Sequence, residues 1–437
     1  MAETESDRKK KLRWRLVGSA AAMVAIAAVG IGAYFLNEQR RQEQAEALVQ
    51  ESWDLYKDGE AEEALESLTR AIELNPNYAR AYDARGYISG FLDRHDSALR
   101  DLNKAIELEP NYAEAYFSRG TLYGALGRHD SALRDLNKAI ELDSDSADAY
   151  LLRGWFYSDL QKYDNALSDF TKAIEMEPDL AEAYGARGAF YAENLNLYDE
   201  ALRDLNKAIE LEPNYAEAYF SRGTLYGASG RHDSALRDFG RAIELELDYA
   251  EAYRLRGWVY SDLKQHDNAL SDFTKAIEIE PDWADAYNDR GAFYVDYLNL
   301  YDEALRDFTK AIELDSNLGS AYAMRGFTYK ILERYEEASS DYGKALALDP
   351  TNAVLYQERG FTFAQLELDN RALRDFDRAI EMDPNNASFY YTRGVFYATK
   401  DLYQESLRDL DKATELDPNE EEFSHFRTLV RSLRNSP

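Results

Sequence analysis

The chain has 437 residues, no cysteine and a formal net charge of −31, with 51 basic against 82 acidic residues. The missing cysteines exclude disulfides, thiolate nucleophiles and zinc–thiolate sites, and the acidic balance repels nucleic acid and anionic lipid head groups. At this length two or three ordinary domains are the default, unless repeats lengthen the chain without building a new core.

The first predicted element is a membrane span. Residues 16–36, "LVGSAAAMVAIAAVGIGAYFL", carry no charge and are long enough for a helix to cross a hydrocarbon core of ~30 Å. Trp14 and Tyr34 flank it, where amphipathic rings favour the interface. Residues 1–15 hold Arg8, Lys9, Lys10, Lys11, Arg13 and Arg15, whereas only Arg40 and Arg41 closely follow the span. The positive-inside rule then leaves the N-terminus in the cytoplasm and all that follows on the other side, periplasmic or extracellular. The expectation is an uncleaved signal anchor. A signal peptide cleaved at Ala25–Ala27 is the alternative, weakened by the apolar run that continues beyond it.

Residues 37–44, "NEQRRQEQ", follow without glycine or proline. They read as a helical stalk of about 12 Å at 1.5 Å per residue.

From residue 45 the chain repeats. Arg-Gly dipeptides place glycines at 86, 120, 154, 188, 223, 257, 291, 326, 360 and 394, at a spacing of 34, or 35 in the two repeats containing "LNLYDEAL". Tyr stands four residues before each glycine, an aromatic three after in nine of the ten, and Ala about twelve after; "KAIEL" or a variant and usually Pro close the unit. A weaker unit at 45–78 has Ser52 at the glycine position. Apolar spacing of three and four on both sides of a short turn, ended by proline, describes a helix–turn–helix.

This pattern resembles the tetratricopeptide repeat. The resemblance covers residues 45–420 in about eleven repeats, with Tyr82, Gly86, Ala98 and Ala105 matching in the second. It implies an all-α, right-handed superhelical solenoid of helix-turn-helix repeats, here preceded by one transmembrane helix. Residues 421–437 read as a capping helix and tail.

One departure from the family pattern is informative. The residue before the glycine is usually apolar in the family; here it is Arg in all ten glycine-containing units. An Asp follows each glycine by fifteen or sixteen residues, and the unit at 45–78 lacks both, having Glu51 and Ser67. Joint presence and absence predicts an ion pair between the two helices of a unit, a structural role because a binding residue need not recur identically.

Residues 109–211 and 212–314 are copies of one three-repeat block, with "EPNYAEAYFSRGTLYGA" in both. Array lengthening accounts for the copying; two similar stretches of groove for an elongated partner are the alternative.

Catalytic and metal constellations are missing from the pattern. His95, His129, His232 and His266 share one repeat position, also filled by Tyr163 and Tyr335, which is a packing or surface position. No phosphate-binding glycine loop and no nucleophile elbow occur. No enzyme activity, cofactor or metal is expected.

The resemblance implies a concave groove lined by the first helix of each unit, at residues six and three before the glycine and one, four and five after it. Those positions hold Glu114, Phe117 and Thr121; Asp148, Trp155 and Asp159; Glu217, Phe220 and Thr224; and Glu251, Arg254, Trp258 and Asp262. Relatives that grip chaperone C-terminal carboxylates use Lys and Asn there, an arrangement missing here. An acidic and aromatic lining favours basic or amphipathic protein segments. Trp155 and Trp258 occupy a position held by Ala189 and Ala292 in other units, and are expected to project into the groove as cation-binding rings.

The expected function is a membrane-anchored scaffold that gathers partner proteins on the non-cytoplasmic face. The alternatives are a targeting receptor whose array faces the cytosol, resembling mitochondrial import receptors, and an accessory subunit of an envelope enzyme or secretion complex. No feature indicates a homo-oligomer, and residues 16–36 are the only predicted membrane contact.

Overall fold

The computed structural model describes residues 36–434. The expected span at 16–36 therefore lies outside the described residues except for its last, Leu36. Among the described residues no helix is long and apolar enough to cross a membrane.

The chain divides into two compact units, Met1–Pro213 and Asn214–Pro437. In the first, a helix over residues 36–57 (α1) is followed by α2 Ala61–Leu74, α3 Ala79–Phe91, α4 His95–Leu108, α5 Ala113–Ala125, α6 His129–Leu142, α7 Ala147–Asp159, α8 Tyr163–Met176, α9 Ala181–Asn194 and α10 Tyr198–Leu211. The second holds α11 Ala216–Ala228, α12 His232–Leu245, α13 Ala250–Asp262, α14 His266–Ile279, α15 Ala284–Phe293, α16 Tyr301–Leu314, α17 Gly319–Ile331, α18 Tyr335–Leu348, α19 Ala353–Gln365, α20 Asp369–Met382, α21 Ala387–Thr399, α22 Tyr403–Leu416 and α23 Glu421–Arg434. All regular structure here is helical, as the repeat pattern predicts.

From α3 to α22, odd-numbered helices open a repeat and even-numbered helices close it. Each first helix packs on its own second helix and, within each unit, on the first helix of the next repeat, so α3, α5, α7 and α9 share one face, as do α11 to α21. The repeat glycine permits the close approach inside a pair: a Cβ on Gly154 would stand 2.7 Å from Cε1 of Phe170. Phe170, Ala166, Ala186 and Phe190 are buried together there. The second helices stop where the sequence says they stop. Glu177, before Pro178, leaves the helix at φ −125°, ψ 85°, because proline excludes the helical region for its predecessor.

The turn joining the two helices of a repeat needs one left-handed residue. Gly127 and Gly230 supply it at φ 68° and 71°, but Asp93, Gln161, Lys264 and Glu333 adopt it at φ 55–57°, a strained choice for a residue with a Cβ.

The predicted ion pair is present in every glycine-containing repeat. Arg153 Nε donates to Asp169 Oδ2 and Nη2 to Oδ1, each at 2.7 Å; Arg222 repeats the fork on Asp238 at 2.7 and 2.9 Å. Such two-pronged, largely buried bonds are the strong ones. The bond to Asp238 holds the Arg222 guanidinium above its ordinary pKa against the opposing pull of burial. A further contact was not foreseen: Arg153 Nη1 also donates to Asn137 of the preceding repeat at 2.7 Å. Tyr150 and Tyr157 lie 5.2 and 5.7 Å from the same guanidinium. The arginine thus ties two helices of one repeat to the second helix of the repeat before. At the far end α23 closes the second unit, with the ring of Phe423 4.7 Å from that of Tyr391 and Val430 buried against Leu407 and Leu410.

Candidate partner-binding face

Within each unit, the shared face of the first helices from the copied block carries its charge in their first turns. Glu114, Asp148 and Glu182 occupy the first turns of α5, α7 and α9, and Glu217, Glu251 and Asp285 those of α11, α13 and α15. All six are exposed. The flanking first helices α3, α17, α19 and α21 have no acidic residue there. The acidic first turns therefore coincide with the copied block. Acids at a helix N-terminus favour the macrodipole, yet the flanking helices form without them, so helix stability does not account for the pattern. Among the described residues Glu251 is the one of the six with a basic partner, Arg254 Nη2 at 3.5 Å. Glu217 is solvent-exposed as a residue, but burial of its carboxyl and the charge of Glu246 raise its pKa.

Asp159 and Asp262 are exposed, and Thr121 is half-buried. The tryptophans are not free-standing. Trp155 and Trp258 are half-buried, their rings edge-on to Phe170 at 5.4 Å and to Phe273 at 5.3 Å. Ala189 and Ala292 at the same position are themselves buried. The inference from alanine to an outward ring is amended accordingly: the position sits at the rim of the core, and a tryptophan there covers the core with one edge.

Three residues before the glycine the face is largely spoken for. Phe220 lies 4.9 Å from the Tyr249 ring of the next repeat, and Phe117 packs with Leu152 beside Phe156. Arg254 Nη1 donates to Asp289 Oδ2 at 2.7 Å and lies 5.0 Å from the Trp283 ring. Trp258 Nε1 donates to the same Asp289 oxygen at 2.8 Å. Phe220, Phe117 and Arg254, each three before its glycine, thus meet residues eight or two before the glycine of the following repeat, and Arg254 meets both. Sequence reasoning passed over those partners, Trp283 and Asp289 among them. A signal existed: aligning the two blocks shows Leu151, Leu180 and Ala186 replaced by Arg254, Trp283 and Asp289.

A related triad straddles the start of the first block. Asp83 is buried, with Tyr112 Oη donating to its Oδ2 at 3.2 Å. Burial pushes its carboxyl from 3.8 up to about 6, and hydrogen bonds from Ser118 and Tyr112 oppose that rise. The four repeat histidines open α4, α6, α12 and α14. They pack rather than cluster, as His129 does against Phe156 at 5.6 Å. No group of three potential metal ligands occurs among the described residues.

Models of the tetratricopeptide repeat match residues 113–146, 147–180 and 250–282, 319–352, 376–408, and 216–249 and 284–318. A TPR-repeat model matches 92–127 and 195–230. No curated protein sequence matches the chain. Among solved structures it is similar to YrrB, described as a TPR protein with an unusual peptide-binding site: 28% identity over 44% of this chain and 97% of that one, TM-score 0.38. Yeast Tom70 is 16% identical over 90% and 96%, TM-score 0.44. A tetratricopeptide repeat protein from Parabacteroides merdae is 20% identical over 57% and 98%, TM-score 0.45.

Proposed function

The chain is a tetratricopeptide-repeat protein, and from that premise we propose that it is a membrane-anchored scaffold capturing basic segments of partner proteins on its acidic first helices. The observation that carries this reading is the set of six exposed first-turn carboxylates, confined to α5, α7, α9, α11, α13 and α15 and almost without basic partners. Each set of three, one in each compact unit, attracts Lys and Arg and repels acidic competitors, giving selectivity and a fast encounter. Asp159 beside Trp155, and Asp262 beside Trp258, add a ring and a carboxylate four residues apart on one helix face. A cation is held there by charge and by the ring together.

The anchor is the apolar run at 16–36. With six basic residues before it, the charge bias favours a cytoplasmic N-terminus and an array on the opposite side. A reporter fused after residue 437 tests this; labelling from the cytosol would instead support the receptor alternative.

The capture test uses a fluorescent hexalysine peptide and the full chain. Binding is expected to weaken strongly between 0.1 and 1 M salt, as the Debye length falls from ~10 to ~3 Å. It is also expected to weaken on joint Glu217→Gln, Glu251→Gln and Asp285→Asn substitution. Affinity indifferent to both changes removes the reading.

A further inference from the structure

Beyond the copied block the shared face of the second unit changes character. Helices α17, α19 and α21 carry one acidic residue in all, Glu358, and Lys330 neutralises it at 2.5 Å. Lys400, at the edge, is paired with Asp369 at 2.8 Å. The charges carried by these three helices are thus paired, and apolar surface adjoins them. Ile331, Val354 and Phe361 are 38, 51 and 37% exposed. Between α19 and α21 lies a cavity of about 500 Å³ lined by Phe361, Gln365, Tyr391, Val395, Phe396 and Thr399. That volume is in the ~300–1,000 Å³ range of pockets that hold small ligands. Glu367 also borders the cavity, as does Lys400, which Asp369 holds; the rest of its wall is apolar, aromatic or uncharged and favours large apolar side chains.

We propose that this cavity anchors a partner segment carrying two or three large aliphatic or aromatic side chains, joined to the basic run that lies on α13 and α15. The proposal rests on the capture reading above and names the partner more fully. Charge complementarity assigns the order: the basic run belongs with Glu251, Asp262 and Asp285, the apolar cluster with Phe361 and Val395. Spacing follows from geometry. Neighbouring helices pack about 8–10 Å apart, and the cavity lies two to three first helices beyond α15, or roughly 20–25 Å. An extended chain covers ~3.3–3.6 Å per residue, so about seven residues separate the two clusters in the partner.

Three fluorescent probes test this on the full chain. The first is hexalysine, a seven-residue Gly/Ser spacer and Leu-Phe-Leu; the second replaces Leu-Phe-Leu by three serines; the third is Leu-Phe-Leu on the spacer alone. The first is expected to bind at least about tenfold more tightly than the second. Thr399→Trp fills the cavity without removing a buried side chain and is expected to abolish that gain, leaving the serine probe unaffected. Phe361→Ala with Val395→Ala is expected to do the same, with a thermal melt as the folding control. Equal binding of the first two probes, or a gain that survives Thr399→Trp, overturns the anchor while leaving the capture reading intact. A gain that persists when Glu251→Gln and Asp285→Asn leave all affinities unchanged supports the anchor and sinks the capture reading. Failure of all three probes to bind overturns both. A self-association of the chain that Thr399→Trp disrupts would seat a second copy in the cavity and overturn the proposal.

Discussion

The copied blocks, residues 109–211 and 212–314, build the same helices from nearly the same words yet treat the same tryptophan differently. Trp155 and Trp258 meet their core phenylalanines at 5.4 and 5.3 Å with interplanar angles of 72° and 74°. Trp258 is then pinned by Asp289, which also holds Arg254. In the first block Ala186 stands in place of Asp289, and Leu151 packs beside Leu180. The seam between first helices is polar in one copy and apolar in the other, at the same place in the fold. A repeat protein keeps its interior pairs constant and varies the seams, because each repeat touches only its neighbours. The lesson for function is that a groove residue's freedom to bind is set by the next repeat.

The largest expected effect breaks what the copies share. Arg153→Ala strips Asp169 of its partner, at a local cost of about 3–5 kcal/mol. Hydrogen exchange on α7 and α8 is the measurement, since opening in such arrays is local. Arg256→Ala is expected to cost somewhat less, because Gly240 stands where Arg153 finds Asn137, and even a Cβ built there would lie 3.9 Å from Arg256 Nη1. Unchanged protection in both variants would show that the arginine spine is dispensable.

Next comes the difference itself. Ala186→Asp puts an unpaired carboxylate between Leu151 and Leu180 and is expected to lose at least about 2 kcal/mol. Adding Leu151→Arg and Leu180→Trp recreates the second copy's seam and should recover more than half. A triple variant no more stable than the single one in urea melts would mean that the seams are not exchangeable modules.

The Asp83 seam gives a pH handle of similar or smaller size. Its folded pKa, about 6, exceeds the ordinary 3.8 because the carboxyl is buried. The folded state therefore holds a proton that the unfolded state has lost between those values. Its contribution is present in full below about pH 4 and is lost as pH rises through 6, by about 3 kcal/mol at most. Protection of α3 and α5 is expected to fall across that window, and Asp83→Asn to flatten the fall. A wild-type profile already flat from pH 4 to 7 contradicts the raised pKa.

The smallest effect separates the tryptophans. Trp155→Ala and Trp258→Ala each lose an edge-on ring contact worth about 0.5–1.5 kcal/mol. Trp258→Ala also deprives Asp289 of a donor and is expected to be the more destabilising. In hexalysine capture the order reverses, with Trp155→Ala weakening binding more, since no bond to a neighbouring repeat fixes that ring. The same order in both assays would show that the rings act through stability alone.

The residues by themselves give the helix pairs, their number and their ends, because a period of three and four, a glycine and a proline act locally. They also yield the Arg–Asp fork, since two positions that appear and vanish together in one chain must meet. The acidic lining was legible once the first helices were placed. Three things belonged to the tertiary structure. The left-handed turn at Asp93, Gln161 or Lys264 is imposed by the two helices it joins, against each residue's own preference. The half-burial of Trp155 and Trp258 depends on phenylalanines fifteen or more residues away, so alanine at the same position misled. The seams and the cavity between α19 and α21 arise where separate repeats face one another, and which side chains fill those recurring positions changes from one repeat to the next. What one helix does is written along the chain; what two helices leave between them is decided only when they pack.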